Sequence, residues 1–219
     1  MATRAMLAEL AQTCAAECGT QVQFESVGGV DAARRVRDGE AFDVVVLAAD
    51  AIDKLIAAGS VLRDSRVDLV VSKTVVAAPA ARPPVDVSSE QALRKAVLDA
   101  PTIGYSTGPS GTAVVALLQR WGVFDMVRER LVQAPAGVPV GRLLAQGQAA
   151  LGFQQTSELM GLTGVRVLGE LPAGCEIVTR FTAAVCTASL QQQAVRALIA
   201  CLASPRTAAL KRAHGMEPA

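Results

Sequence analysis

Two glycine-rich segments are where this chain could do chemistry. One is Ser26-Val27-Gly28-Gly29-Val30; the other is Ser106-Thr107-Gly108-Pro109-Ser110-Gly111, inside a longer Gly104–Gly111 stretch. Each sits between a run that reads as a strand and a run that reads as a helix. A glycine turn that opens a helix presents free backbone N–H groups, and the helix dipole adds positive potential there. Serine and threonine hydroxyls add further donors. Such a loop binds an oxyanion or carboxylate without any Lys or Arg, and two of them facing each other would clamp one small anion. Taken singly, each loop reads equally well as an ordinary capped turn. Neither carries a nucleotide fingerprint: GxGxxG and GxxxxGK[ST] are both absent.

Other candidates are weaker. Gln154 and Gln155 end a predicted strand, where ligands of open α/β sheets bind, and their amides could donate to an anion. Ser157 follows them, but no GxSxG elbow surrounds it. His214 reads as a solvated residue of a basic terminal helix, and Asp50 and Asp53 as helix-start acids. Cys14 and Cys18 share a helix face, as half of a metal site or, more simply, as small core residues. Five cysteines with no CxxC pair and a single histidine argue against structural zinc. The scattered thiols read as free, and no metal or cofactor is called for.

Composition narrows the class. Net charge is +1 and aromatic content only 3%. That leaves neither the basic stripe nor the stacking platform a nucleic-acid reader needs. No apolar run approaches the ~18 residues of a membrane span.

The elements that must hold the two loops follow a β-α-β-α rhythm, which predicts an α/β fold with parallel-type mixed sheets flanked by helices. Residues 1–18 read as an amphipathic helix closed by Gly19, and 21–26 as a strand. Asp43–Ala48 is a continuous apolar run, the pattern of a buried parallel strand. Val67–Ala78 is a second β-prone run, broken at Ser72-Lys73. Ser88-Ser89-Glu90-Gln91 carries helix-capping chemistry. Pro79–Pro84 is the best visible break between two halves.

The order of these pieces resembles the molybdate-type (ModA-like) substrate-binding proteins of the periplasmic binding protein type II superfamily. The resemblance lies in "GEAFDVVVLAADAIDKLIAAG", "TIGYSTGPSGTAVVALLQRWGV", "GVPVGRLLAQGQAALGFQQTSEL" and "ASPRTAALKRAHGMEP", and it covers nearly the whole chain. It implies two lobes, 1–74 with 178–219 and 75–177, with a ligand in the cleft between them. By motif match Ser26, Gly28, Gly29 and Val30 contribute from lobe one. Ser106, Thr107, Gly108, Ser110, Val138 and Gln155 contribute from lobe two. The implied role is hinge closure on a small anion, as the monomeric solute-binding component serving an ABC transporter permease, with no chemistry, nucleic acid or membrane insertion.

The chain departs from the family in three ways. The family begins with a strand ahead of the first helix, whereas this chain starts at Met1 inside or just before that helix; no leader is seen, so the chain as given reads as cytoplasmic, or as periplasmic if a leader lies upstream. Gly28-Gly29 stands where paired serines are usual. The last departure supports an alternative, an isomerase of a small tricarboxylic acid similar to aconitate isomerase. Its general base would come from Asp50, Glu158 or Tyr105.

Overall fold

In the computed structural model, residues 2–19 and 21–219 are described, without the side chains of Glu17 and Cys18. The chain packs as two units, Met1–Ser72 with Arg180–Ala219, and Lys73–Thr179.

In the first unit, helix α1 (Arg4–Cys18) buries Met6, Leu7, Leu10 and Cys14 at helical spacing, and Gly19 ends it at φ 63°. Helices α2 (Gly29–Arg37) and α3 (Ala49–Ala57) lie on either side of strand β1 (Val44–Ala48) in the sequence. The apolar β1 was expected to have parallel neighbours. Instead it pairs antiparallel with β7 (Val178–Val185), Val44 opposite Val185 and Ala48 opposite Phe181. Local sequence carries no sign of a partner so far downstream. Strand β2 (Val67–Pro79) lies next to β7, and its Val70 and Val71 also pair with the short β8 (Glu217–Pro218). Helices α9 (Gln192–Ala203) and α10 (Ala208–Ala213) complete the unit. Val195, Leu198, Ile199 and Leu202 of α9 share a buried cluster with α1. Each fully buried Leu or Ile contributes about 1.5–3 kcal/mol of transfer free energy.

Three sequence expectations change here. Residues 21–27 run extended, with Val22 and Phe24 packed against the α1 cluster. They form no strand, and among the described residues no backbone hydrogen bond reaches them. Alternation set which side chains face inward, but a strand also needs a ladder partner. Cys14 and Cys201 are joined as a disulfide between α1 and α9, not left as free core thiols, their Cα atoms 5.9 Å apart. Cys14 is therefore not available as a metal ligand. His214 is not merely solvated: its Nε2 lies 2.9 Å from Glu9 Oε2, linking α10 to α1.

Among the described residues Lys211 of α10 is the one buried cation, with 1% of its surface exposed. Burial pushes its ammonium pKa below the usual lysine range. Lys211→Met is expected to raise stability by about 1 kcal/mol at neutral pH, since an apolar chain of similar length needs no desolvation. The sign with pH follows from linkage. Between the depressed folded pKa and the unfolded one, the unfolded chain holds the extra proton, so the wild type gains stability as pH rises through that window. Melting curves of both proteins from pH 7 to 10.5 should converge; parallel curves would contradict this.

In the second unit the later half of β2 is followed by β3 (Ile103–Tyr105), β4 (Leu131–Gln133), β5 (Leu151–Gln155) and β6 (Val165–Glu170). The order is β2-β5-β3-β4. Strand β3 runs parallel to β4 and β5, while β2 is antiparallel to β5 and β6. The polar pair Ser72-Lys73 that interrupts the apolar run lies within one strand, continuous over 13 residues, and the boundary between the two units falls there. The Pro79–Pro84 segment lies inside this unit, beyond β2. Helices α4 (Glu90–Asp99), α5 (Pro109–Arg120) and α6 (Phe124–Val127) pack one sheet face through Leu93, Val97, Val114, Leu118 and Val127 against Ile103 and Phe153. Ser89 caps α4, its hydroxyl accepting the Ala92 N–H at 3.1 Å. Helix α7 (Val140–Ala145) covers the opposite face with Val140 and Leu144 on Val75 and Ala77, and α8 (Thr156–Leu159) follows β5 directly.

Candidate functional site

Because β3, β4 and β5 are parallel, Tyr105, Gln133 and Gln155 finish at one edge of the second unit's sheet. Open α/β sheets place ligands at this carboxyl edge. Three connections leave it, into α5, α7 and α8. No Lys or Arg occurs in residues 104–119, 133–141 or 151–159. Positive potential on these connections therefore comes from backbone N–H groups and helix ends; Lys73, next to Thr74 on β2, is paired with Glu170 at 2.8 Å.

The best-formed donor set is the loop into α5. Gly108 is the N-cap residue and Pro109 opens the helix, where its missing N–H costs nothing. Ser106 Oγ accepts the Gly108 N–H at 3.3 Å and lies 3.0 Å from Ser110 Oγ. Ser110 is 3% exposed, while Thr107 faces solvent. Gly111 and Thr112 direct their N–H groups back to Gly108 O. Among the described residues, the N–H groups of Thr107 and Ser110 meet no acceptor. The 12-residue α5 adds the equivalent of about half a positive charge at this end.

Close backbone packing fixes the loop. A Cβ on Gly111 would stand 1.8 Å from the Ser106 carbonyl oxygen, so only glycine lets the helix start against that peptide. Gly104 and Gly152 do the same under α7, where a Cβ would meet Val140 Cγ1 at 2.8 and 2.9 Å.

Gln155 ends β5, is 3% exposed and is the N-cap residue of α8. Two expected contributors have a polar group committed elsewhere. The Val138 N–H closes a turn onto Pro135 O at 3.0 Å, so Val138 offers only its half-buried side chain. Gln154 turns to the α7 side, its Oε1 accepting the Gly141 N–H at 2.9 Å. Two hydroxyls are close to Gln155 in register or sequence: Thr74, which sequence reasoning passed over, and Ser157, which it weighed only as a nucleophile. Thr74 is the cross-strand partner of Gln155, and Ser157 is two residues further on. Thr74 Oγ1 and Ser157 Oγ are buried without a hydrogen-bond partner among the described residues. The polar interruption at Ser72-Lys73-Thr74 within an apolar strand was the available signal.

The first unit's loop is less committed. Gly28 caps α2 and Gly29 opens it, and neither position is crowded enough to demand glycine. Ser26 is half-buried, and Val30 is 78% exposed and offers its N–H alone. Asp31 already places a carboxylate in the first turn, held by Arg34 at 3.0 Å, so an anion here competes with a resident charge. Of the possible bases, Tyr105 and Glu158 sit at the carboxyl edge of the second unit, whereas Asp50 is 3.8 Å from Lys54 on exposed α3.

A family model described as bacterial extracellular solute-binding protein matches residues 1–217. The chain belongs to that family. It is also 34% identical over 187 residues to an aconitate isomerase of Pseudomonas sp., a match spanning 84% of this chain and 70% of the isomerase. Among solved structures, the periplasmic molybdate-binding protein of Azotobacter vinelandii superposes with a TM-score of 0.79 at 21% identity, covering 98% of this chain and 94% of that one. The substrate binding domain of a putative molybdenum ABC transporter from Clostridium difficile gives 0.77 at 16% identity, covering 100% and 96%. The fold of this solute-binding family member is thus the two-lobed α/β fold expected from the sequence. No helix among the described residues is long and apolar enough to cross a membrane.

Proposed function

We propose that this solute-binding protein captures a small anion, a carboxylate or a tetrahedral oxyanion, and delivers it to an ABC transporter permease. One observation supports the reading: hydroxyl and N–H donors of Ser106, Thr107 and Ser110 lie, with Gln155, at the carboxyl edge of parallel strands, on connections that carry no lysine or arginine of their own. Neutral donors in a dry site bind an anion through charge-assisted hydrogen bonds, each worth about 1.5–3 kcal/mol. The Cys14–Cys201 disulfide fits an oxidising compartment, in keeping with an exported protein. No covalent step is involved, and the working unit is a monomer.

Calorimetric titration with molybdate, tungstate, sulfate and a panel of di- and tricarboxylates tests this. At least one anion should bind, and Ser106→Ala/Ser110→Ala should weaken it about 10- to 100-fold, the loss of two hydrogen bonds to a charged group. A protein that binds a neutral solute and no anion would refute the reading.

A second reading starts from the 34% identity to an aconitate isomerase. The same edge would hold a tricarboxylate while one base, Glu158 or Tyr105, removes a proton next to a carboxylate. The proton returns at another carbon, and the double bond moves. Incubation with cis- and trans-aconitate, followed by NMR, distinguishes the two: interconversion establishes an enzyme, and binding without turnover a carrier.

A further inference from the structure

We infer that Thr74 is a positioning residue that turns the amide of Gln155 so that its NH2, and not its oxygen, faces the ligand. The inference rests on the reading above that Gln155 meets the bound anion.

Thr74 and Gln155 are direct partners in the antiparallel β2–β5 ladder, as are Val76 and Phe153 two residues along the same face. Facing side chains in such a pair have Cβ atoms roughly 4.5–5.5 Å apart, within reach of a glutamine amide. Their surroundings are apolar: Val76 is fully buried and Phe153 is 1% exposed. The Thr74 N–H is used, donating to Ile177 O at 2.9 Å, but its hydroxyl is buried and meets no partner. Leaving a hydroxyl there is unfavourable, and valine has nearly the same shape without that penalty. The position therefore holds a group whose use lies outside the resting hydrogen-bond network.

Gln155 explains the use. It is 3% exposed and directly opposite Thr74, and an amide is ambivalent, with one accepting oxygen and two donor hydrogens. Oxygen outward, it would repel an anion. If the Thr74 hydroxyl donates to Gln155 Oε1, the NH2 is left pointing away from the strand pair, as a donor. One buried hydroxyl thus converts an ambivalent side chain into an anion-selective one, while the neighbouring Lys73 is paired with Glu170 at 2.8 Å.

The test compares Thr74→Val, Thr74→Ser, Gln155→Leu and the double variant Thr74→Val/Gln155→Leu. Each is titrated with molybdate and with trans-aconitate and melted thermally. For the anion that binds, Thr74→Val should weaken affinity about tenfold, the size of one charge-assisted hydrogen bond, while its melting temperature holds or rises. Thr74→Ser should stay close to wild type. The double variant should bind no worse than Gln155→Leu alone, because the two residues act as one unit. Unchanged affinity in Thr74→Val, or additive losses in the double variant, overturns the inference while the anion reading stands. Wild-type affinity in Gln155→Leu, or binding by the wild type of a neutral solute and of no anion in the panel above, shows instead that the underlying reading fails, and the inference with it.

Discussion

Gly111→Ala is expected to destabilise the protein by about 3 kcal/mol and to weaken anion binding at least tenfold. Two effects of opposite sign compete. In a helix interior, alanine is favoured over glycine by about 1 kcal/mol, and Gly111 lies in α5. Against that, the added methyl would sit 1.8 Å from Ser106 O and 2.7 Å from Ser106 C, both backbone atoms that no rotamer change can move. Either the loop swings off the helix end or the helix loses its first turn. Overpacking costs of roughly 1–3 kcal/mol apply to yielding side chains, and a backbone neighbour lies at or beyond the upper end of that range. Ser106 also orients Gly108 and Ser110, so the donor set is lost with it. Denaturant unfolding and titration of the variant check both effects. A variant that gains stability, as helix propensity alone predicts, would show that the loop is not pinned as described.

Opening the Cys14–Cys201 disulfide should cost about 2–5 kcal/mol and lower the melting temperature by about 10 °C. The bridge spans 187 residues of chain, and the loop-entropy relation puts closure of so long a loop near the top of the known range, about 5 kcal/mol. It fastens the first helix to the closing helix α9, so reduction frees both ends of the first unit together. Melting with and without reductant, and of Cys14→Ser/Cys201→Ser, measures the effect. Cys186 serves as an internal control. Burial, reinforced by nearby Asp43, pushes its thiol up to about 12, so it resists alkylation until the chain unfolds. A melting temperature indifferent to reductant would show that the bridge does not carry this stability.

Both predictions depend on contacts that the sequence reading could only partly anticipate. Helical spacing of Met6, Leu7, Leu10 and Cys14 determined the buried face of α1, and Gly19 its end. Ser89 and Ala92 show the capping chemistry the sequence advertised. The glycine-rich loop before α5 was legible as a donor set because its residue types act through nearest neighbours in the chain, a Ser-Thr-Gly-Pro-Ser run leading into a helix. Features that join residues far apart in sequence were not legible. Cys14 reads as a core thiol until α9 is laid beside it. Gln21–Ser26 has the alternation of a strand, but a strand is defined by the neighbour it bonds to, and alternation does not supply one.

The sequence by itself determined the α/β class, the position of the Gly104–Gly111 loop between strand and helix, and the lack of cationic side chains around it. Periodicity, capping and composition are local properties, and each is written within a few residues. Tertiary structure alone decided that Gly111 is there to admit the Ser106 peptide, that Val138 and Gln154 are engaged elsewhere, and that Thr74 lies beside Gln155 with a buried, unpartnered hydroxyl. Those facts depend on ladder register and on helices seated against a sheet, and register is fixed by burying whole faces at once, not by any one segment.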